Sequence, residues 1–407
     1  MTSDQQPTAS SLTLAAAMTG DLIALRREIH ADPEIALDLP RTQQRILTAL
    51  DGLDLEITLG RDLSSVVAVL RGGARTEGAP VVLLRGDMDA LPVDERTGHS
   101  FASTNGAMHA CGHDLHVAGL VGAARILHER RAELPGDVVF MFQPGEEGPG
   151  GAAPMIDDGL LDVAGRRVDA AYALHVTSAQ HPVGVWFGRP GPLMAAADKC
   201  FITVRGKGGH GSAPHTALDP VPVACAIVLG LQSMVTRRFD AFDPVVVTAG
   251  KIAAGTKENI IPDTATLDLT VRSFSAAHRD KVQQEITRVA EGIAAAHAMT
   301  ADVDYHREYP VTVNDPDEYS VLRDAVVDLF GSERYVEMPF PEAGSEDFSF
   351  VAEQVPSAYI FVSACVGDPA EAADNHSPIA DFDDVVVPDA AALLAEVAVR
   401  RLALLTG

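Results

Sequence analysis

The segment VVLLRGDMDALP, residues 81–92, is a run of aliphatic and β-branched residues that passes directly into two aspartates. Such a run predicts a buried strand, with Asp87 and Asp89 at its end. Further runs of this kind, VVAVL, VVFMF and AYALH, occur between about residues 64 and 190, and they alternate with helical stretches such as 115–134. This alternation predicts an α/β domain with a largely parallel central sheet.

The middle of the chain has a different order of predicted elements. Between about residues 199 and 307 they run strand, helix, strand, strand, helix, strand, which is a ferredoxin-like α+β arrangement. After residue 307, helices and a strand resume the α/β pattern of the first part of the chain. We therefore predict a larger domain formed by residues 11–195 and 308–407, with the smaller one inserted at 196–307. An amphipathic helix from about residue 10 to Ile29 is expected to precede the sheet.

The chain is strongly acidic, with 57 Asp and Glu against 31 Lys and Arg and a formal net charge of -26. A surface of this sign repels nucleic-acid phosphates and anionic lipid, so no nucleic-acid or membrane partner is predicted. No stretch approaches the roughly 18 consecutive apolar residues of a membrane-spanning helix. An anionic substrate would have to be captured by a local positive site, such as an arginine or a metal ion.

The N-terminus and the cysteines indicate the compartment. The N-terminal segment has no basic start and only a short, broken apolar run, so no signal peptide is predicted. The four cysteines have no spacing typical of a disulfide framework. A reducing, cytoplasmic location is therefore expected.

The segment MHACGHDLH, residues 108–116, contains the densest cluster of candidate metal ligands. Cys111 and His113 are two positions apart with Gly112 between them, so an extended backbone could turn both side chains toward one ion. A thiolate with imidazole favours zinc, manganese, cobalt or nickel over calcium or magnesium. In the structural alternative the histidines cap a helix and the cysteine belongs to the core, but so many ligand types together favour a site.

Acidic residues follow two of the predicted strands. Asp87 or Asp89 could bind metal or orient a ligand histidine through its second ring nitrogen, and an Asx turn explains the pair equally well. Glu146 and Glu147 follow VVFMF in a glycine-bracketed turn. Neighbouring carboxylates point in different directions, so one could bind metal while the other takes a proton from water. A solvated acidic turn is the alternative.

Two isolated histidines complete the set of candidates. His175 ends the strand AYALH, and His376 lies in NHSP after a loop rich in glycine and aspartate. Each one alone is more typical of a core or surface histidine. With the earlier clusters they make a set of one cysteine, one glutamate and three histidines, which is sufficient for two metal ions that share a ligand.

Several motifs in order along nearly the whole chain resemble those of the di-metal aminoacylase and amidohydrolase family, which includes hippurate hydrolase, N-acetyl-amino-acid deacetylases and auxin-conjugate hydrolases. The motifs are RREIHADPE, GDMDALP, MHACGHD, FQPGEE, GKGGHGSAPH, ENIIP, GSEDF and NHSP. The resemblance implies a metallopeptidase-type catalytic domain with an inserted lid or dimerisation domain. It also implies a homodimer or homotetramer that acts on a small N-acyl amino acid.

The resemblance further implies roles for individual residues. Glu146 matches the general base, which would activate a hydroxide held by two divalent ions (Mn²⁺, Zn²⁺, Co²⁺ or Ni²⁺) for attack on the amide carbonyl. In the inserted domain His210 matches a residue that reaches the substrate carbonyl, and Asn259 and Arg272 match binders of the substrate carboxylate. The residues that match the metal ligands are Cys111, His113, Glu147, His175 and His376.

Two positions bear on how far the resemblance extends. Leu39 stands where relatives often carry an acidic residue, but it lies away from the expected site. Cys111 stands where the peptidase branches of the superfamily use a bridging aspartate, which favours acyl-amino-acid amides as substrates. The alternatives are a dipeptidase or carboxypeptidase on the same scaffold, a catalytically silent metal-binding scaffold, and a redox role for Cys111.

Overall fold

The run VVLLRGD forms a strand, Val81–Asp87, in the computed structural model, which describes residues 9–407. All seven of its residues are buried, as expected of a strand that is covered on both faces. It pairs in parallel with Asp137–Gln143 on one side and with Ala170–Thr177 on the other. The carboxyl ends of these three strands therefore meet at one edge of the sheet, where open α/β sheets place their ligands.

The helices and strands are numbered in chain order. The helices are α1 (Ser11–Ala17), α2 (Thr19–His30), α3 (Pro40–Leu50), α4 (His113–Glu129), α5 (Ala152–Asp157), α6 (Pro220–Arg238), α7 (Ala276–Ala296), α8 (Pro316–Phe330), α9 (Ser349–Ala352) and α10 (Val386–Thr406). The strands are β1 (Glu56–Leu59), β2 (Val66–Leu70), β3 (Val81–Asp87), β4 (Asp137–Gln143), β5 (Ala170–Thr177), β6 (Trp186–Gly188), β7 (Gly191–Met194), β8 (Ala196–Arg205), β9 (Gly209–His210), β10 (Val245–Ala254), β11 (Ile260–Ile261), β12 (Thr264–Ser273), β13 (Thr300–Tyr309), β14 (Thr312–Asn314), β15 (Tyr335–Glu337) and β16 (Ser357–Ser363).

The described residues divide into two units, of which the first contains residues 9–191 together with Val313–Pro339 and Phe350–Gly407. Its eight-stranded sheet has the order β1-β2-β4-β3-β5-β16-β6-β15. The strands β4, β3, β5 and β16 are mutually parallel. The pairs β1·β2, β2·β4 and β16·β6 are antiparallel, and β15 pairs with β6 in parallel. Helices α4 and α10 cover the sheet with largely apolar, buried residues. This mostly parallel sheet confirms the predicted α/β class.

The second unit comprises Pro192–Thr312 and Phe340–Ser349. Its antiparallel sheet has the order β10-β12-β8-β13, with α6 and α7 supplying the apolar residues of its own core. The succession β8, α6, β10, β12, α7, β13 is the ferredoxin-like βαββαβ order that was predicted. The predicted insertion, residues 196–307, lies within this unit.

The N-terminal segment forms two helices, α1 and α2. The single N-terminal helix that was predicted is wrong, because the helix ends at Met18, whose N–H bonds to the carbonyl of Ala15, and a second helix begins at Thr19.

Among the described residues, α6 is long and apolar enough to cross a membrane by length and composition. Its buried residues recur every three or four positions and pack into the core of the second unit, as in an amphipathic helix.

Candidate metal centre

The turn that ends at the start of α4 brings Cys111 and His113 together. Gly112 has φ +82°, and a Cβ atom there would lie 2.4 Å from Cγ2 of Val176 on β5. Glycine is therefore required by both the left-handed backbone and the close approach of the strand. Both flanking side chains are buried, with Cys111 7% exposed and His113 0% exposed.

Asp89 holds the turn that carries the two glutamates. Its Oδ1 accepts the backbone N–H of Glu146 at 3.0 Å, and its Oδ2 accepts that of Glu147 at 3.1 Å. The same Oδ1 lies 3.6 Å from Nδ1 of His113. One buried carboxylate at the end of β3 thus links the turn after β4 to the turn before α4.

The candidate ligands from four separate segments converge on the sulfur of Cys111. Its Sγ lies 3.4 Å from Nε2 of His175 and 3.3 Å from Nε2 of His376. Oε1 of Glu147 lies 3.1 Å from Nε2 of His376 and 3.9 Å from Nε2 of His113. The ligand atoms of Cys111, His113 and His175 lie within 4.8 Å of one another, and so do those of Cys111, Glu147 and His376. The two groups share one cysteine.

The residues present fit a pair of divalent metal ions. Neither ring nitrogen of the fully buried His113 has a hydrogen-bond partner among the described residues. A buried polar group without a partner is costly and needs an explanation such as an ion. One thiolate, one carboxylate and three imidazoles are donors that suit first-row transition metals or zinc.

The protonation of the free ligands follows from their surroundings. Burial and the nearby His116 and His113 lower the pKa of His175 to about 3. His175 is therefore neutral, and because Nδ1 donates to the carbonyl of Val176 at 2.7 Å, its Nε2 lone pair faces Cys111. Hydrogen bonds to Cys111 and Glu147 raise the pKa of His376 to about 10. A cation must therefore displace a proton from His376.

A buried network beneath the ligands was not predicted from the sequence. Nη1 of Arg85 donates to Asp87 at 2.6 Å, and the other oxygen of Asp87 lies 2.5 Å from Nδ1 of His116. Nε2 of His116 accepts the N–H of Val176, which places the His116 proton on Nδ1, facing Asp87. Burial alone would raise the pKa of Asp87, but Arg85 and nearby histidines outweigh it and hold this pKa well below 3.8. The sequence indicated two members of this network separately, Asp87 at a strand end and His116 in the segment MHACGHDLH, but not their contact.

The remaining predicted site residues lie in the second unit. His210 ends β9 and is exposed, and its Nδ1 accepts a hydrogen bond from the N–H of Ser212 at 3.2 Å. β9 pairs with β11, and the carbonyl of Asn259 accepts the N–H of Gly211 at 2.9 Å, so the His210 and Asn259 segments are neighbours. Arg272 is a half-buried residue of β12 that forms no ion pair within residues 9–407.

The family described as "Peptidase family M20/M25/M40" matches residues 83–400. The chain belongs to this family. The M20 chain is 37% identical over 387 residues to an IAA-amino acid hydrolase ILR1-like 2 of Arabidopsis thaliana, covering 94% of this chain and 85% of the relative. It is 35% identical over 380 residues to N-acetylcysteine deacetylase of Bacillus subtilis, covering 93% and 96%.

A solved structure agrees with the same assignment. The YXEP protein of Bacillus subtilis, described as a dinuclear metal binding peptidase from the M20 family, superposes on this M20 chain with a TM-score of 0.83 and 32% identity. The match covers 95% of this chain and 99% of that one. This M20 chain is therefore an amide-bond hydrolase, and its cluster of candidate ligands suits two divalent metal ions.

Proposed function

We propose that this chain hydrolyses the amide bond of N-acyl amino acids at a two-metal centre. The observation that carries the proposal is the sharing of Cys111 by two groups of ligand atoms, with Glu146 beside them. Two relatives are named for an N-acetyl amino acid and for an indole-acetyl (IAA) amino acid conjugate, and both names describe an acyl group joined to an amino acid.

We assign the ligands in two groups. Cys111, His113 and His175 would hold one ion, while Cys111, Glu147 and His376 would hold the other. Mn²⁺, Zn²⁺, Co²⁺ or Ni²⁺ suits this mixture of sulfur, nitrogen and oxygen donors. When bound, such ions lower the pKa of water and polarise the carbonyl oxygen of a substrate.

Glu146 is assigned as the general base and then the general acid. It is 8% exposed, and its carboxylate lies within 4.8 Å of the ligand atoms of His113 and Glu147. Asp89 accepts the backbone N–H groups of both Glu146 and Glu147, which fixes the turn that carries the two side chains. Glu146 takes a proton from the attacking water and gives it to the leaving nitrogen.

We propose that Arg272, Asn259 and His210 take part in substrate recognition, as the family resemblance implies. An arginine without a carboxylate partner, as Arg272 is within residues 9–407, is suited to a substrate carboxylate, which matters in a chain of net charge -26. Asn259 would add a hydrogen bond to the same carboxylate. His210 would donate to the carbonyl oxygen as negative charge develops there.

A dipeptidase or carboxypeptidase is the second candidate, because the family and the YXEP protein are both described as peptidases. A dipeptidase or aminopeptidase-like enzyme recognises a free substrate amine, whereas a deacylase accepts an amide in its place. Activity on N-acetyl or N-benzoyl amino acids would therefore argue against a dipeptidase or aminopeptidase-like enzyme.

We also propose a homodimer or homotetramer located in the cytoplasm. Strand β10 is at the edge of its sheet and exposes Val246 and Ile252, and the neighbouring helix α6 exposes Leu229, which is 72% exposed. An unpaired edge beside exposed apolar side chains is suited to a partner. The cytoplasmic location is proposed from the spacing of the four cysteines, which is not that of a disulfide framework.

The proposed function is tested by measuring the release of amino acid from N-acetyl, N-benzoyl and indole-acetyl amino acids and from free dipeptides. The enzyme is first treated with a chelator and then supplied with each of the four ions. We expect release from N-acyl compounds that depends on the added ion. Release from dipeptides alone would move the chain to the peptidase alternative.

A further inference from the structure

The loop that carries His376 needs a specific anchor. His376 has φ +72°, in the left-handed region that is unfavourable for a residue with a Cβ atom. It lies outside the helices and strands, and its side chain is 55% exposed. Its backbone N–H donates to the carbonyl of Ala110 at 2.8 Å, which fixes one point. The side chain of the neighbouring residue, Asn375, makes the further hydrogen bonds that hold this loop.

Asn375 uses both ends of its amide. Its Oδ1 accepts the backbone N–H of Ser178 at 2.8 Å, and its Nδ2 lies 3.1 Å from the carbonyl oxygen of Val176. The same Nδ2 lies 3.4 Å from the carbonyl oxygen of Cys111 and 3.6 Å from its Sγ. A backbone donor thus faces the oxygen and only acceptors face the nitrogen, so the orientation of this amide is determined by its partners.

The partners of Asn375 belong to the segments that carry the other ligands. The carbonyl of Val176 also accepts the Nδ1 hydrogen of His175, so Asn375 and His175 share one acceptor. Ser178, which is 1% exposed, donates its hydroxyl to the carbonyl of Ala373 at 2.7 Å and so holds the loop at a second point. One amide therefore connects the Cys111 turn, the end of β5 and the His376 loop.

We propose that Asn375 is a positioning residue of the metal centre, which holds His376 in its left-handed conformation and donates a hydrogen bond to the sulfur of Cys111. This inference rests on the proposed function, in which Cys111 is the shared thiolate. A hydrogen bond to a ligand sulfur withdraws electron density and tunes the bond from sulfur to metal. Two ions that share one thiolate would both respond to that donor.

The test compares Asn375→Ala with wild type and with Asn314→Ala. Asn314 is a matched control because its Nδ2 also donates to two carbonyl oxygens and its Oδ1 also accepts a backbone N–H, with Arg189 and Tyr359 as its only partners among residues 9–407. Neither of those is a candidate ligand. The affinity for Zn²⁺ is measured by competition with a chromophoric chelator. After Co²⁺ loading, the thiolate-to-Co²⁺ charge-transfer absorption is recorded in the near ultraviolet. Circular dichroism checks that each variant is folded.

We expect Asn375→Ala to bind Zn²⁺ roughly 10–100-fold more weakly, the range typical of residues that support metal ligands, and to shift the Co²⁺ absorption. Asn314→Ala should leave the Zn²⁺ affinity and the Co²⁺ absorption unchanged. Asn375→Asp keeps an oxygen for the N–H of Ser178 but removes the donor, so it should not restore the wild-type absorption.

Wild-type affinity and absorption in Asn375→Ala, or their restoration by Asn375→Asp, would overturn the inference. Weaker binding with an unchanged absorption would overturn the hydrogen bond to sulfur. If the wild-type protein itself takes up no Zn²⁺, the proposed function and this inference fail together, whereas normal wild-type uptake with unaffected variants removes the inference alone.

Discussion

The Sγ of Cys111 lies 3.3 Å from Nε2 of His376, although 265 positions separate the two residues in the chain. The same sulfur is 3.4 Å from Nε2 of His175, so it belongs to both groups of ligand atoms. His175 belongs to only one of them. The two side chains should therefore differ in how many ions depend on them.

We expect Cys111→Ala to lose both ions and His175→Ala to lose one. Removing a shared ligand leaves each ion with fewer donors, whereas removing His175 leaves the group of Cys111, Glu147 and His376 complete. Metal analysis after equilibrium dialysis measures the ions per chain. Retention of two ions by Cys111→Ala would contradict the shared role of the cysteine.

Glu146→Gln should keep both ions and the fold but lose turnover by roughly 10²–10⁴-fold, the usual contribution of a general base. Glu147→Gln is the matched control, because it changes the adjacent residue in the same turn and should lose an ion. The rate constant kcat and the metal content are measured for both variants. A Glu146→Gln enzyme with a rate near that of wild type would remove Glu146 from the role of base.

Asp89→Ala should weaken metal binding roughly 10–100-fold and lower kcat as well. The carboxylate accepts two backbone N–H groups from the turn of Glu146 and Glu147, and it lies 3.6 Å from a ring nitrogen of His113. Asp89→Asn keeps one acceptor oxygen, so its losses should be smaller. Chelator competition measures metal affinity, and steady-state kinetics measure kcat. Equal losses of affinity and kcat in Asp89→Asn and Asp89→Ala would argue against the role of the Asp89 oxygens as hydrogen-bond acceptors.

The stability of the metal-free protein should fall at alkaline pH through His30. Burial alone would lower the pKa of His30, but Asp114 and Glu95 outweigh it and raise this pKa to about 9. The folded pKa is above the unfolded value of 6.5, so the stabilisation is complete below pH 6.5 and is lost as the pH rises through 9. The rise in this pKa from 6.5 to about 9 corresponds to roughly 3–4 kcal/mol, since a tenfold change in an equilibrium constant is about 1.4 kcal/mol.

This dependence is measured as the melting temperature of chelated protein between pH 6.5 and pH 10. The wild-type value should fall more steeply over that range than the value for His30→Gln, which cannot carry the charge. Parallel curves for the two proteins would show that His30 makes no such contribution.

Arg272→Ala should raise KM for N-acyl amino acids much more than for their esters. The guanidinium is proposed to bind the free carboxylate, and an ester lacks that charge. Kinetics with matched acid and ester substrates measure the difference. Equal effects on both substrates would remove Arg272 from carboxylate recognition.

The sequence predicted the strands and the ligand types better than the contacts between them. VVLLRGD and AYALH were recognisable because buried parallel strands are runs of apolar residues, and the carboxyl ends of such strands meet at one edge. The break at Met18 was missed because one local hydrogen bond, to the carbonyl of Ala15, ends α1 without any proline or glycine at that position.

The supporting residues were harder to predict. The sequence does not decide whether Asp89 is a metal ligand, an orienting residue or a turn former, because its two backbone partners lie 57 and 58 positions away in the chain. The sequence shows Asn375 only as a member of the motif NHSP. Nothing near it in the chain indicates that its side chain bonds to Ser178, 197 positions away. Contacts of this kind depend on how distant segments pack, and a sequence pattern records them only indirectly.

The most direct test of the two-metal amidohydrolase is the recovery of activity when ions are added back to chelated protein, measured per chain with the best N-acyl amino acid of the substrate panel. We predict no turnover without metal and a rise in rate that is complete at two equivalents of ion per chain. Full activity in the chelated protein, or recovery that is complete at one equivalent, would contradict the account.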